Sequence, residues 1–263
     1  MLALIAGGGG LPRRVAEAQE TFPLICGYEG VVLEGIRADM TFRLETLGTL
    51  LNMLQARGVS QVSFCGTVAR PSFDPAALDA DTLYLVPLFQ KALAAGDDGA
   101  LRTLVEIFEH AGFEVVAAQD IAPGLMAEPG VLSRRQPDEQ MSADAKRAAD
   151  VCHTLASLDV GQCCVVGQTQ VMGIETIGGT DHLLATLPAR ARGSKAILFK
   201  GPKPQQTQLV DMPTIGPSTL KAAHKAGLAG VIIVAGQVIV LEADRCIALA
   251  NELGLVLWSR SAA

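Results

Sequence analysis

Along this chain, short continuous apolar runs alternate with longer stretches in which apolar residues recur every three or four positions. Residues 2–6 (LALIA) predict a buried strand. Residues 11–19 follow at helical spacing, with Pro12 tolerated in a first turn. Residues 23–27 predict a second strand. In 47–57 the helical period returns and stops at Gly58, which suits a C-terminal cap. Residues 61–65 read as strand again. Residues 83–95 and 99–111 predict two helices divided by a Gly96-Asp97-Asp98-Gly99 turn, and 113–117 predict a further strand. Strands alternating with helices point to an α/β fold with a parallel, doubly wound sheet.

The pattern breaks at 118–140, which holds Pro123, Gly124, Pro129, Gly130 and Pro137 without periodicity. This predicts two domains, 1–125 and 141–263, with a linker at 126–140. Beyond it, Ser142 is placed to cap a helix reaching Ser157. Residues 162–167 and 170–175 are close enough to pair as a hairpin, and 196–199 predict a strand. Residues 217–226 predict a helix, 230–234 and 238–241 paired strands, 243–253 a helix and 256–258 a closing strand. Between them runs FKGPKPQQTQLVDMPTIG (199–216), where prolines and lysines surround one acid, Asp211. Proline fixes φ and removes a backbone donor, so this segment predicts a stiff loop.

Composition narrows the partners. A chain of 263 residues with 49% apolar positions can bury one large core or two ordinary ones. Aromatic residues at 4% and a formal net charge of −6 argue against a nucleic-acid partner. No uncharged apolar run approaches the ~18 residues of a membrane span. The N-terminus, MLALIAGGGGLPRR, lacks the leading basic region of a signal peptide, so the cytoplasm is the expected location. The six cysteines form no C-x-x-C pair and are expected as small core residues in a reducing compartment. No two of the four histidines have zinc-ligand spacing.

Several groupings could carry chemistry. Gly7–Gly10 lies between a strand and a helix, so its glycines either bring backbone N–H groups to a phosphate or simply make a tight turn. The dinucleotide fingerprint fails because Pro12 stands at its last glycine. Cys65-Gly66-Thr67-Val68-Ala69-Arg70-Pro71 leaves a buried strand, where Arg70 is either a phosphate ligand or a surface arginine. Asp97 and Asp98 suit the start of a helix, or contact with a metal or ribose. Glu175 ends a strand, and Gly178-Gly179-Thr180-Asp181 opens a helix, again a frame for a cap or an anion. Lys200, Lys203 and Asp211 would suit phosphoryl chemistry, because lysines offset phosphate charge and an aspartate can hold Mg²⁺.

Together, and in this order, the motifs LIAGGGGLP (4–12), CGTVARP (65–71), GDD (96–98), VVGQTQVMGIETIGGTD (165–181), KGPKPQQTQLVDMPTIG (200–216) and AGLAGVIIVAG (226–236) give the chain a family likeness. It resembles the Mg²⁺-dependent UDP-2,3-diacylglucosamine pyrophosphatases of lipid A biosynthesis, of the alphaproteobacterial type. The resemblance covers nearly the whole chain. It implies an N-terminal Rossmann-like domain and a C-terminal α/β domain that carries the catalytic aspartate, with the lipid-linked UDP-sugar substrate held between the two. It implies hydrolysis to UMP and 2,3-diacylglucosamine 1-phosphate by attack of water on the α-phosphorus. The family's essential aspartate carries over to Asp211, within Asp211-Met212-Pro213-Thr214-Ile215-Gly216. Asp211 and Glu175 are the expected metal ligands. Substrate contacts are expected at Gly9, Gly10, Leu11, Gly66, Arg70, Asp97, Asp98, Thr180, Asp181, Lys200, Lys203 and Gln206. Transient contact with the inner-membrane surface follows from a lipid substrate, and a homodimer stays open. The sequence departs from the family pattern at Thr67 (usually Asn), Thr207 (usually an acid) and Leu209 (usually Arg). The competing reading is a non-catalytic nucleotide-sugar or lipid-binding protein of the same fold.

Overall fold

A computed structural model describes residues 1–68, 73–94, 96–203 and 209–261, with the side chains of Asp97 and Asp98 outside the description. The chain divides into two compact units. The first comprises residues 1–123 together with 209–211, and the second comprises 124–203 and 212–261 of the described residues.

In the first unit, β1 (Leu2–Ala6), α1 (Leu11–Glu17), β2 (Leu24–Tyr28), β3 (Met40–Phe42), α2 (Leu47–Ala56) and β4 (Gln61–Cys65) follow one another. Then come α3 (Val86–Ala94), α4 (Asp97–His110), β5 (Glu114–Val115) and α5 (Ala118–Ile121). The strands pair in parallel in the order β3-β2-β1-β4-β5, which follows the nucleotide-binding doubly wound sheet. Ala3–Ala6 of central β1 are all buried, as a parallel strand covered on both faces requires. Helix α2 sends Leu47, Leu50, Leu51 and Leu54 into the core beside Val62 and Phe64. Phe64 meets Phe108 of α4 edge to face, with ring centroids 5.1 Å apart. Leu209 and Val210, from far down the chain, pack against this same core.

The second unit contains β6 (Gly130–Val131), α6 (Glu139–Ala156), β7 (Cys163–Gly167), β8 (Gln170–Ile174), α7 (Gly179–Ala185) and β9 (Ile197–Lys200). It continues with β10 (Thr214–Ile215), α8 (Pro217–Lys225), β11 (Gly230–Val234), β12 (Ile239–Val240), α9 (Ala243–Leu253) and β13 (Val256–Arg260). Its main sheet runs β6-β13-β11-β9-β7-β8. Strands β13, β11 and β9 are parallel, while β7 runs antiparallel to both β9 and β8. Small residues of α6 (Ala145, Ala148, Cys152) let it lie close on one face, against Cys164, Ile197 and Phe199. Leu220 of α8 and Cys246 and Ala250 of α9 cover the other face, against Leu198 and Val231.

Several local expectations change. Residues 238–241 do not pair with 230–234: β12 pairs in parallel with β10, and β11 is taken up by β9 and β13. The long helix is capped by Asp138, whose carboxylate accepts from Met141 N–H at 2.8 Å, and Ser142 already lies inside it. Asp97 and Asp98 belong to the first turn of α4, not to a turn before it, with Gly96 as N-cap. Within the stretch expected as a linker, Gly130–Val131 forms an edge strand on β13.

Candidate functional site

In the first unit, strand order reverses between β1 and β4, the place where open α/β sheets bind ligands beyond the strands' carboxyl ends. The two loops that leave these strands are joined by their backbones. Gly7 N–H donates to Cys65 O at 2.8 Å, Gly8 N–H to Thr67 O at 2.7 Å, and Thr67 N–H to Gly8 O at 3.0 Å. Gly66 has φ +92°, and a Cβ there would lie 2.6 Å from the Gly7 carbonyl oxygen. Glycine is therefore required by close backbone approach. Gly9 and Gly10 lead into Leu11, the first residue of α1, and a Glu34 carboxylate oxygen lies 3.7 Å from where a Gly10 Cβ would stand. The expected contact Arg70 lies outside the described residues. Asp97 and Asp98 are the first two residues of α4.

In the second unit, the carboxyl end of β9 carries Lys200, which is 6% exposed. Its ammonium donates to Thr180 Oγ1 at 2.9 Å. The Thr180 hydroxyl donates in turn to Glu175 Oε1 at 2.7 Å, and the other Glu175 oxygen accepts from Gln162 N–H at 2.9 Å. The Cys163 thiol points at Thr180 Oγ1 from 3.7 Å. Burial pushes that thiol's pKa well above its ordinary value; the Glu175 charge adds to the rise and Lys200 opposes it. Cys163 therefore stays protonated. Lys203 pairs with Asp159 at 2.5 Å, and Asp181 stands exposed in the first turn of α7.

These placements join Glu175, Thr180 and Lys200, three residues singled out by sequence, into one hydrogen-bonded cluster. Cys163 also belongs to it, and the sequence carried no signal for that beyond an apolar strand. Gln206 lies outside the described residues. Asp211 is half-buried and groups with the first unit, whereas Met212 begins the return to the second. Leu209, one of the departures from the family pattern, packs against the first unit's core. Among the described residues no group of three or more His, Cys, Asp or Glu is disposed to hold a metal ion.

Each unit is an α/β fold with its loops gathered at the carboxyl ends of parallel strands, the ligand-binding end in this class of protein. Residues 1–125 match the family model of the LpxI N-terminal domain, and residues 128–258 match that of the LpxI C-terminal domain. The chain is 35% identical to the UDP-2,3-diacylglucosamine pyrophosphatase LpxI of Caulobacter vibrioides, over 97% of this chain and 95% of that protein. The chain belongs to the LpxI family.

Proposed function

We propose that this protein hydrolyses UDP-2,3-diacylglucosamine, releasing UMP and 2,3-diacylglucosamine 1-phosphate. The observation that carries the reading is identity spread over both units to a protein named for that activity. In the proposed step, water oxygen bonds to the α-phosphorus, the bond from α-phosphorus to bridging oxygen breaks, and the bridging oxygen leaves on the sugar phosphate. Mg²⁺ is the proposed cofactor. It takes one or two carboxylates plus substrate oxygens, a donor set that a single aspartate and a pyrophosphate can supply. Asp211 is the residue proposed to hold it, and when bound it would neutralise charge on the pyrophosphate. Glu175 fits this role less well than the sequence suggested, because both its oxygens already accept hydrogen bonds. Lys200, buried at the carboxyl end of β9, is proposed as a cation for phosphate oxygens.

The named substrate carries two acyl chains, so we place the encounter at the inner-membrane surface on the cytoplasmic side. No helix among the described residues is long and apolar enough to cross a membrane. The decisive experiment incubates purified protein and Mg²⁺ with UDP-2,3-diacylglucosamine in ¹⁸O-water. UMP carrying ¹⁸O is expected. Label on the sugar phosphate would move the attack to the β-phosphorus, and binding without UMP release would make this a carrier and not a hydrolase. Asp211→Asn is expected to lower turnover at least ~100-fold, the effect of removing one electrostatic element worth ~3 kcal/mol of barrier, with an unchanged thermal midpoint.

A further inference from the structure

The cluster at the end of β9 has a definite hydrogen-bond order. A hydroxyl has one proton and two lone pairs. Thr180 gives its proton to Glu175, which as a carboxylate can only accept. Its lone pairs take the Lys200 ammonium and the Cys163 thiol. The Thr180 side chain is thereby saturated, so its expected direct contact with substrate is not available to the hydroxyl in this arrangement.

Glu175 is itself held firmly. Gln162 N–H fixes its second oxygen, and Gly161 passes so close that a Cβ there would come within 2.4 Å of the Glu175 carbonyl oxygen. Lys200 is different. An ammonium has three donors, and among the described residues Lys200 uses one, on Thr180. A buried cation needs compensating charge. The nearest carboxylate in the cluster is kept one hydroxyl away, and among the described residues it forms no direct ion pair with Lys200. The arrangement orients the ammonium without consuming its charge. Its place, at the carboxyl end of the parallel strands, is where such folds present groups to ligands.

We propose that Thr180, held by Glu175, is a positioning residue that aims the Lys200 ammonium at a phosphate of the ligand. The chemical class of ligand is a pyrophosphate, and the proposal rests on the hydrolase reading only for what that pyrophosphate is attached to. It is tested on the full chain with Lys200→Met, Thr180→Val, Thr180→Ser and the Lys200→Met/Thr180→Val double variant. Two readouts are taken: calorimetric binding of inorganic pyrophosphate, and kcat and KM for UDP-2,3-diacylglucosamine. Lys200→Met should weaken pyrophosphate binding at least ~10-fold and Thr180→Val at least ~5-fold, while Thr180→Ser stays within ~2-fold of wild type. In the Lys200→Met background, Thr180→Val should add less than ~2-fold, since its effect runs through the missing ammonium. A merely structural threonine would cost the same in both backgrounds, and that result overturns the proposal. So would wild-type binding by Lys200→Met, a variant that leaves the Glu175–Thr180 bond intact and so reports even if Thr180→Val does not fold. A wild-type protein that binds no pyrophosphate overturns it too. Pyrophosphate binding with the expected cycle but no UMP release would instead remove the hydrolase reading and leave the positioning role standing.

Discussion

Replacing Asp144 by alanine should unfasten the hairpin that carries Cys163 and Glu175. Asp144 lies on α6, is 1% exposed, and accepts from Gln168 N–H at 3.1 Å, Thr169 N–H at 2.6 Å and the Gln140 side chain at 3.0 Å. Gln168 and Thr169 form the turn between β7 and β8 with φ values of 52° and 61°, a left-handed pair that glycine and asparagine usually occupy. The turn therefore depends on a carboxylate from another element. Hydrogen bonds to a charged acceptor contribute ~1.5–3 kcal/mol each, and two backbone donors are at stake. Gln168 and Thr169 are exposed, so their N–H groups recover water, and the lost carboxylate no longer has to be desolvated. The net expectation is ~2–3 kcal/mol, roughly a 30- to 150-fold change in the folded-to-unfolded ratio. Trp258, the only tryptophan, lies in β13 and packs against the core beneath α6, so its fluorescence during urea unfolding reports on this unit. Because register decides which face a strand residue meets, loosening the turn should also lower Lys200-dependent pyrophosphate binding. A loss below ~0.5 kcal/mol, the size of an ordinary surface substitution, would refute the argument.

Gly66→Ala should destabilise the first unit by ~3 kcal/mol or more, through both backbone strain and overlap, whereas Gly9→Ala, with φ +88° and nothing within 4 Å, should cost only ~1 kcal/mol; paired thermal midpoints check this. Glu45 is buried beneath residue 74, and although burial raises its pKa, hydrogen bonds from Asp74 N–H and its own backbone, with the Arg43 charge, bring it below the ordinary value of 4.5. A carboxylate depressed in the folded state stabilises fully above its unfolded pKa and loses that contribution as pH falls through the folded one. Glu45→Gln should therefore flatten the drop in thermal midpoint on acidification below about pH 4.5 and lower the midpoint at neutral pH. All six cysteines are buried, with Cys26 and Cys65 pushed up to about 12 by burial, so a thiol reagent at pH 8 should modify them only after denaturation.

Much of the first unit was legible because its strands are continuous apolar runs bounded by glycine. Residues 2–6 and 61–65 coincide with β1 and β4. β3 was not legible: Met40–Phe42 is three residues with no alternation of its own, and it becomes a strand by adding to β2. The misassigned partner of β12 has the same origin. Two short apolar runs close in sequence look like a hairpin, while a two-residue parallel pairing with Thr214–Ile215 leaves no local mark. The Asp138 cap was readable, since Pro137 precedes it and the backbone donor it accepts from, Met141 N–H, lies three residues on. In the site, residue types were legible and their wiring was not. Glu175 looks like a metal ligand until its two partners are seen, and Asp144 looks like one more helix acid until the turn above it is seen.

The assignment of residues 209–211 to the first unit bears on how the protein is made. Leu209 and Val210 complete a core whose other residues emerge from the ribosome much earlier. Those last contacts can form only after most of the second unit has been synthesised, so the first unit closes fully late in vectorial synthesis. A fragment ending at Pro123 lacks them, and a peptide containing residues 209–211 supplied in trans would restore them.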